Sequence, residues 1–321
     1  MAVGTTNQYS KSTTVTTTAD VNYYNSGYDS HTMTLKQAKE LWNNPRSKQV
    51  ITLSSGRVGV CEVGDPKGFP VIWFTGNMGP AFTILLYESF ARRYHIRMLC
   101  VDRPGYNDTE DCYSKRGVPN VFEFVDMVNE LTVFLGIYKF GLVTFSLGAV
   151  FGLAFSLRYP ERLKGPLHLI SPWVSTSTPG ASATMNRIAR YAPNFLIHDE
   201  ETITLSSFSV SPGRSYLYNQ VYQNGIWNLQ SGKSGPHNDW MVALERVNWG
   251  YKYEETSYPT RIFIGDMDEE VPLVAWKHMS ERMKNVKFNV VEGAKHYLLY
   301  RMDFMDDLFK MIHQEFTSDN T

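Results

Sequence analysis

Ser146 stands at the end of the apolar run FGLVTF and at the start of another, LGAVFGLAFSL. A serine between a strand-like run and a helix-like run can project from a tight turn, provided the residues two before and two after are small. Gly148 meets that need, whereas Thr144 is β-branched. A serine hydroxyl is a poor nucleophile until a base takes its proton, so the chemistry requires an imidazole. There are eight histidines. His31 lies in a polar N-terminal stretch, His95 opens a strand-like run and His168 lies inside one. His278 and His313 fall on helical runs, and His198 and His237 in an irregular middle stretch. His296 differs: it follows the strand-like run VKFNVVEG, in the loop before the last helical run. Loops at the C-terminal ends of strands converge on the site in open α/β sheets. The base in turn needs a carboxylate to hold its tautomer and stabilise the imidazolium. RIFIGDMDEEVP ends the preceding strand-like run and offers Asp266, Asp268, Glu269 and Glu270. Asp268 is the first choice and Asp266 the reserve.

The elements that must position these groups follow from periodicity. Thr34-Leu-Lys-Gln37 reads as a capping box opening a short helix through Trp42. KQVITLSSGRVGVCEVGD reads as a hairpin turning at Ser55-Gly56. PVIWFTG and HIRMLCVD are continuous apolar runs, the pattern of strands buried on both faces. Helical spacing is expected from Ala81 to Tyr94, from Asn120 to Ile137, and after Ser146 as far as Pro160. LKGPLHLIS is a further strand. From Pro172 to about Tyr258 the alternation is lost, and TRIFIGD, LVAWKHMSERM, VKFNVVEG and YLLYRMDFMDDLFKMIHQEF restore it. Alternating buried strands and helices imply an α/β fold: a mostly parallel central sheet, an antiparallel N-terminal edge hairpin, and helices on both faces. The expected organisation is a disordered tail over 1–33, a core over 34–171 and 259–316, an insertion over 172–258, and a C-terminal tail over 317–321.

On these motifs the sequence resembles the α/β-hydrolase superfamily, within the broad group that carries a cap. DRPGYNDTE looks like that family's D-x-P-G-x-G-x-S turn, and TFSLGAVFGLAFSLRYPERL like its nucleophile elbow and following helix. GDMDEEVP is similar to its acid turn, which favours Asp268, and VEGAKHY to its base loop. Ser146, Asp268 and His296 occur in the family's nucleophile, acid, base order. The resemblance covers about residues 48–316. It implies a Ser146–His296–Asp268 triad and an oxyanion hole from two backbone N–H groups, here those of Asn77 and Leu147. There are two departures. Thr75 replaces the usual His of the oxyanion loop, and Thr144 replaces the usual Gly before the nucleophile. Family members that open epoxides or dehalogenate use a carboxylate nucleophile. The serine here favours cleavage of an ester, thioester, lactone or amide.

In such a fold the insertion roofs the site. It holds Tyr191, Phe195, Phe208, Tyr216, Tyr218, Tyr222, Trp227, Trp240, Trp249, Tyr251 and Tyr253, and aromatic walls suit an apolar acyl or aryl group. Met78, Trp173, Trp227 and Tyr297 are the expected pocket residues. Asp239-Trp240 precedes a helical run and reads equally as a cap feature or a pocket feature.

Bulk properties narrow the function classes. The formal net charge is -1 over 321 residues, without the clustered Lys and Arg of a nucleic-acid binder. Cys61, Cys100 and Cys112 form no C-x-x-C pair, which suits reduced thiols. No run approaches the ~18 apolar residues of a membrane span, and the Thr- and Ser-rich N-terminus lacks the apolar core of a secretory signal; a cytosolic location is expected. Metal-ligand and nucleotide fingerprints are absent from the sequence, so no metal and no cofactor are expected. The expected partner is a small-molecule ester-like substrate. Two other functions fit the resemblance: an aminopeptidase resembling the proline iminopeptidases, and a ligand sensor of slow or no turnover.

Overall fold

The computed structural model describes residues 33–111, 118–183, 187 and 211–318. Eight strands form one sheet in the order β1-β2-β4-β3-β5-β6-β7-β8. They are β1 (Gln49–Leu53), β2 (Gly56–Gly64), β3 (Phe69–Phe74), β4 (Ile96–Val101), β5 (Gly141–Phe145), β6 (Leu167–Ile170), β7 (Thr260–Gly265) and β8 (Val286–Val291). β2 pairs antiparallel with β1 and with β4, and the rest of the sheet is parallel. The edge hairpin and the parallel body are those expected from the sequence.

Alternation along each central strand splits the core in two. Ile72 and Phe74 of β3 and Leu99 and Val101 of β4 join the cluster on one face. Val71, Trp73, Met98 and Cys100 join the cluster on the other. A parallel strand sandwiched between helices has no solvated face, so both of its side-chain rows are apolar. The first face is covered by α3 (Val121–Phe134), α4 (Gly148–Arg158) and α7 (Leu273–Ser280). The second is covered by α1 (Leu35–Trp42), α2 (Glu88–Arg93) and α8 (Met302–Thr317). Thr34 caps α1 in a complete capping box with Gln37. Between β6 and β7 the described residues hold α5 (Pro212–Gln230) and α6 (Gly235–Ala243) and no strand. No helix among the described residues is long and apolar enough to cross a membrane.

Several local expectations are corrected. The stretch from Ala81 to Tyr94 is not one helix but a 3-10 segment, Ala81–Tyr87, followed by α2. Tyr87 sits at φ -113°, ψ 6°, outside α geometry, and breaks the hydrogen-bond ladder. The closing helix likewise starts only at Met302, after a 3-10 turn over Leu298–Tyr300. Met33, expected in the tail, is packed into the second core, and its carbonyl accepts the Gly213 N–H at 3.0 Å. The rest of the expected tail lies outside the described residues, as do Cys112, Tyr191, Phe195, His198 and Phe208. Cys61 and Cys100 are both buried, and burial pushes both thiol pKa values up. Asp239 lies inside α6 rather than ahead of it.

Candidate active site

Ser146 follows the last residue of β5 and precedes α4, with φ at 47°. A non-glycine residue in the left-handed region is strained, and the surroundings hold it there. Its N–H donates to Ile170 O and its carbonyl accepts from Trp173 N, each at 3.0 Å. Small neighbours make the turn possible. A Cβ at Gly148 would run into the Phe74 carbonyl oxygen. A Cβ at Gly76 would stand 2.8 Å from the Phe145 ring and 3.2 Å from Ser146 Cβ.

The other two expected residues of the triad meet Ser146. His296 Nε2 lies 3.0 Å from Ser146 Oγ, and His296 Nδ1 lies 2.8 Å from Asp268 Oδ2. With the Nδ1 proton donated to the carboxylate, Nε2 of the neutral ring can accept from the serine hydroxyl. The other carboxylate oxygen of Asp268 accepts the N–H groups of Glu270 at 3.0 Å and Val271 at 2.8 Å. All three residues are buried, whereas Asp266 is exposed. The acid turn and the base loop are also stitched together by the backbone. Met267 N–H donates to Ala294 O at 3.0 Å, and a Cβ on Gly265 would collide with that same carbonyl. Phe145 and Tyr297 flank the imidazole, each ring centroid 5.4 Å from it.

The turn after β3 carries Asn77. Thr75 Oγ donates to Gly79 O at 2.6 Å and Gly79 N–H to Gly76 O at 3.1 Å, closing the turn. The threonine thereby ties together the loop in which the family's histidine usually stands. Arg103, from the loop after β4, donates to Thr75 O at 2.8 Å and to Gly76 O at 2.6 Å. Its guanidinium forms a buried ion pair with Asp239 of α6. Burial alone would lower the Arg103 pKa, but the charge and hydrogen bonds of Asp239 help reverse that and the net shift is upward. Tyr106 is also raised, by burial and then by the Asp239 charge. Asp102 accepts the Ala81 N–H at 2.7 Å and the Asn107 amide at 2.8 Å. Burial still pushes it up to about 6.

The remaining expected pocket residues are scattered. Trp173 is buried, with its indole N–H donating to Ala243 O at 2.9 Å. It lines a small cavity with Val174, Thr176, Ala181, Glu270 and Val271. Met78 adopts φ 53°, and its N–H donates to Asp239. Trp227, on α5, is 49% exposed, with the Lys233 ammonium 5.6 Å from its ring centroid. Two residues gained no role from the sequence. Asp239 was one of several features of the insertion. Glu270, whose Oε2 is 3.4 Å from His296 Nε2, was one acid in a run of four. Among the described residues no group of three or more His, Cys, Asp or Glu could hold a metal ion.

No curated protein matches the chain by sequence. Solved structures resemble it over most of its length at low identity. The meta-cleavage product hydrolase of Pseudomonas fluorescens IP01 is 19% identical, with a TM-score of 0.57 over 86% of this chain and 100% of that one. The carboxylesterase of Bacillus subtilis is 15% identical, with a TM-score of 0.58 over 88% and 95%. An epoxide hydrolase of Vigna radiata is 17% identical, with a TM-score of 0.62 over 83% and 98%. These neighbours share the fold while differing in chemistry. The family model described as alpha/beta hydrolase fold matches residues 70–301, most of the chain, and the protein belongs to that family.

Proposed function

We propose that the protein is a serine hydrolase that cleaves a small or medium ester-like substrate through an acyl-enzyme. The observation that carries this reading is the unbroken relay from Asp268 Oδ2 through His296 to Ser146 Oγ, with both links within hydrogen-bond reach. Ser146 Oγ attacks the carbonyl carbon while His296 Nε2 takes the hydroxyl proton, and Asp268 stabilises the imidazolium. The carbonyl oxygen becomes an oxyanion. Neither the Asn77 N–H nor the Leu147 N–H has an acceptor among the described residues, which suits both to receive it. The intermediate collapses, the C–O bond to the alcohol breaks, and the leaving oxygen takes the proton from Nε2. Water then repeats the sequence on the acyl-serine, releasing the acid and restoring the hydroxyl. The described residues of the insertion, 172–183 and 211–258, act as the cap over this site.

A fluorophosphonate probe tests the reading. It should label the wild type at Ser146, S146A should fold and fail to label, and a panel of short and medium esters should turn over in the wild type alone. Labelling that persists undiminished in S146A rejects the nucleophile. Labelling at Ser146 without turnover on any ester favours the sensor.

A further inference from the structure

The ion pair between Arg103 and Asp239 does more than join two buried charges. Both side chains are 3% exposed. The Asp239 carboxylate accepts from Arg103 Nε at 2.7 Å, Arg103 Nη2 at 2.5 Å, Tyr106 OH at 2.7 Å and the Met78 backbone N–H at 3.0 Å. The other Arg103 donors reach Thr75 O at 2.8 Å, Thr75 Oγ at 3.0 Å and Gly76 O at 2.6 Å. One turn, Thr75 to Gly79, is therefore gripped from both sides by a single ion pair. Asn77 sits inside that grip, and the next residue, Met78, is held at φ 53°, a conformation that a non-glycine residue keeps only when its surroundings impose it. The acceptor imposing it belongs to the insertion. The start of α6 is seated on the body beside it: Gly235 N–H donates to Gly105 O at 3.1 Å, and Gly235 packs so close to Tyr106 that a Cβ there would overlap the ring.

We propose that Asp239 is a positioning residue for acyl transfer: through the Met78 N–H and Arg103 it sets the Thr75–Gly79 turn and so aims the Asn77 N–H at the oxyanion beside Ser146. The proposal rests on the serine-hydrolase reading above. Buried ion pairs are weak devices for stability, because desolvation offsets the attraction. Here the charges fix a geometry instead. Oxyanion donors act in the transition state and scarcely in the ground state, so a misaimed Asn77 N–H lowers kcat and leaves substrate binding nearly intact. Seating α6 on the body then becomes a condition for an assembled oxyanion hole.

The test uses the full chain as wild type, D239N and R103K. R103K keeps a positive charge facing Asp239 but loses the fork that reaches Thr75 and Gly76. Each variant should lose about 10- to 100-fold in kcat with KM within about twofold, somewhat less than deleting one oxyanion donor outright. A boronic acid that forms a tetrahedral adduct with Ser146 should lose affinity by the same factor as kcat/KM, while a neutral competitive inhibitor should not. Should D239N fail to fold, R103K carries the same comparison. Wild-type kcat and boronate affinity in a folded variant overturn the proposal. So does a parallel loss of KM, boronate affinity and neutral-inhibitor affinity, which marks general damage. Either result leaves the Ser146 reading intact if the wild type is labelled by fluorophosphonate. A wild type that is neither labelled nor active overturns both.

Discussion

The Thr144 side chain fills the space that a side chain at Gly152 would need: a Cβ built there falls 2.5 Å from Thr144 Cγ2. The β-branched residue that breaks the usual elbow pattern is accommodated one helical turn beyond the elbow. α4 meets the sheet on glycine at both 148 and 152. G152A should destabilise the protein by about 1–3 kcal/mol through overpacking, although alanine is the better helix former by roughly 0.5–1 kcal/mol. T144S removes the offending methyl, so T144S/G152A should recover most of the loss. Chemical denaturation of the four proteins in a double-mutant cycle measures the coupling. Strictly additive effects would show that the two residues do not compete for the same space.

The two aspartates of the acid turn make opposite predictions. Asp268 is buried against His296 Nδ1, and its second oxygen is held by two backbone N–H groups. Asp266 is exposed and has no link to the base. D268N should lower ester turnover by up to roughly 10⁴, the cost of losing the tautomer-fixing carboxylate, while D266N should stay near wild type. Steady-state kinetics on one activated ester decides it. A larger loss in D266N transfers the role.

Asp102 supplies a pH signature. Burial raises its pKa from 3.8 to about 6, against the Ala81 and Asn107 hydrogen bonds and the Arg103 charge. A carboxyl raised in the folded state binds its proton more tightly there than in the unfolded chain. Its contribution is full below the unfolded pKa and is lost as pH rises through the folded one. The stability of the wild type relative to D102N should therefore fall by about 3 kcal/mol between roughly pH 3 and pH 7, at 1.36 kcal/mol per unit. Urea midpoints of both proteins across that range give the difference. A relative stability that rises with pH would mean that the hydrogen bonds outweigh burial.

What the sequence made legible was local. Strand ends punctuated by Gly or Ser pointed to Ser146, Asp268 and His296, because each chemical group lies in the loop that follows its own strand. The Thr34–Gln37 box was legible for the same reason, since its partners are three residues apart. The grip on the oxyanion loop was not, because Asp239 and Arg103 are 136 residues apart and neither segment's pattern announces the other. Glu270 was hidden differently: the acid-turn motif singled out Asp268, and nothing in the sequence said that Glu270, two residues on, would also turn towards His296. Trp227 was assigned to the pocket by composition, and an aromatic residue's type does not say which side of a helix faces the site.

Glu270 should set a charge preference for the acyl group. Its carboxylate lies 3.4 Å from His296 Nε2, is 31% exposed, and lines the cavity that also contains Trp173 and Thr176. A substrate carboxylate brought beside Ser146 and His296 would meet a like charge there. Two unit charges about 6 Å apart repel by roughly 3 kcal/mol at an effective dielectric of about 20, and partial exposure reduces that to about 1–2 kcal/mol. Neutral acyl groups should therefore be preferred, and E270Q should relax the preference by roughly tenfold, at 1.36 kcal/mol per decade. The comparison is kcat/KM for p-nitrophenyl butyrate and mono-p-nitrophenyl succinate in wild type and E270Q, with the ratio between substrates as the readout. A change confined to the succinate places Glu270 in the acyl site. Equal factors on both substrates would show that its carboxylate acts on His296 alone, and any charge preference would have to come from another group at the site.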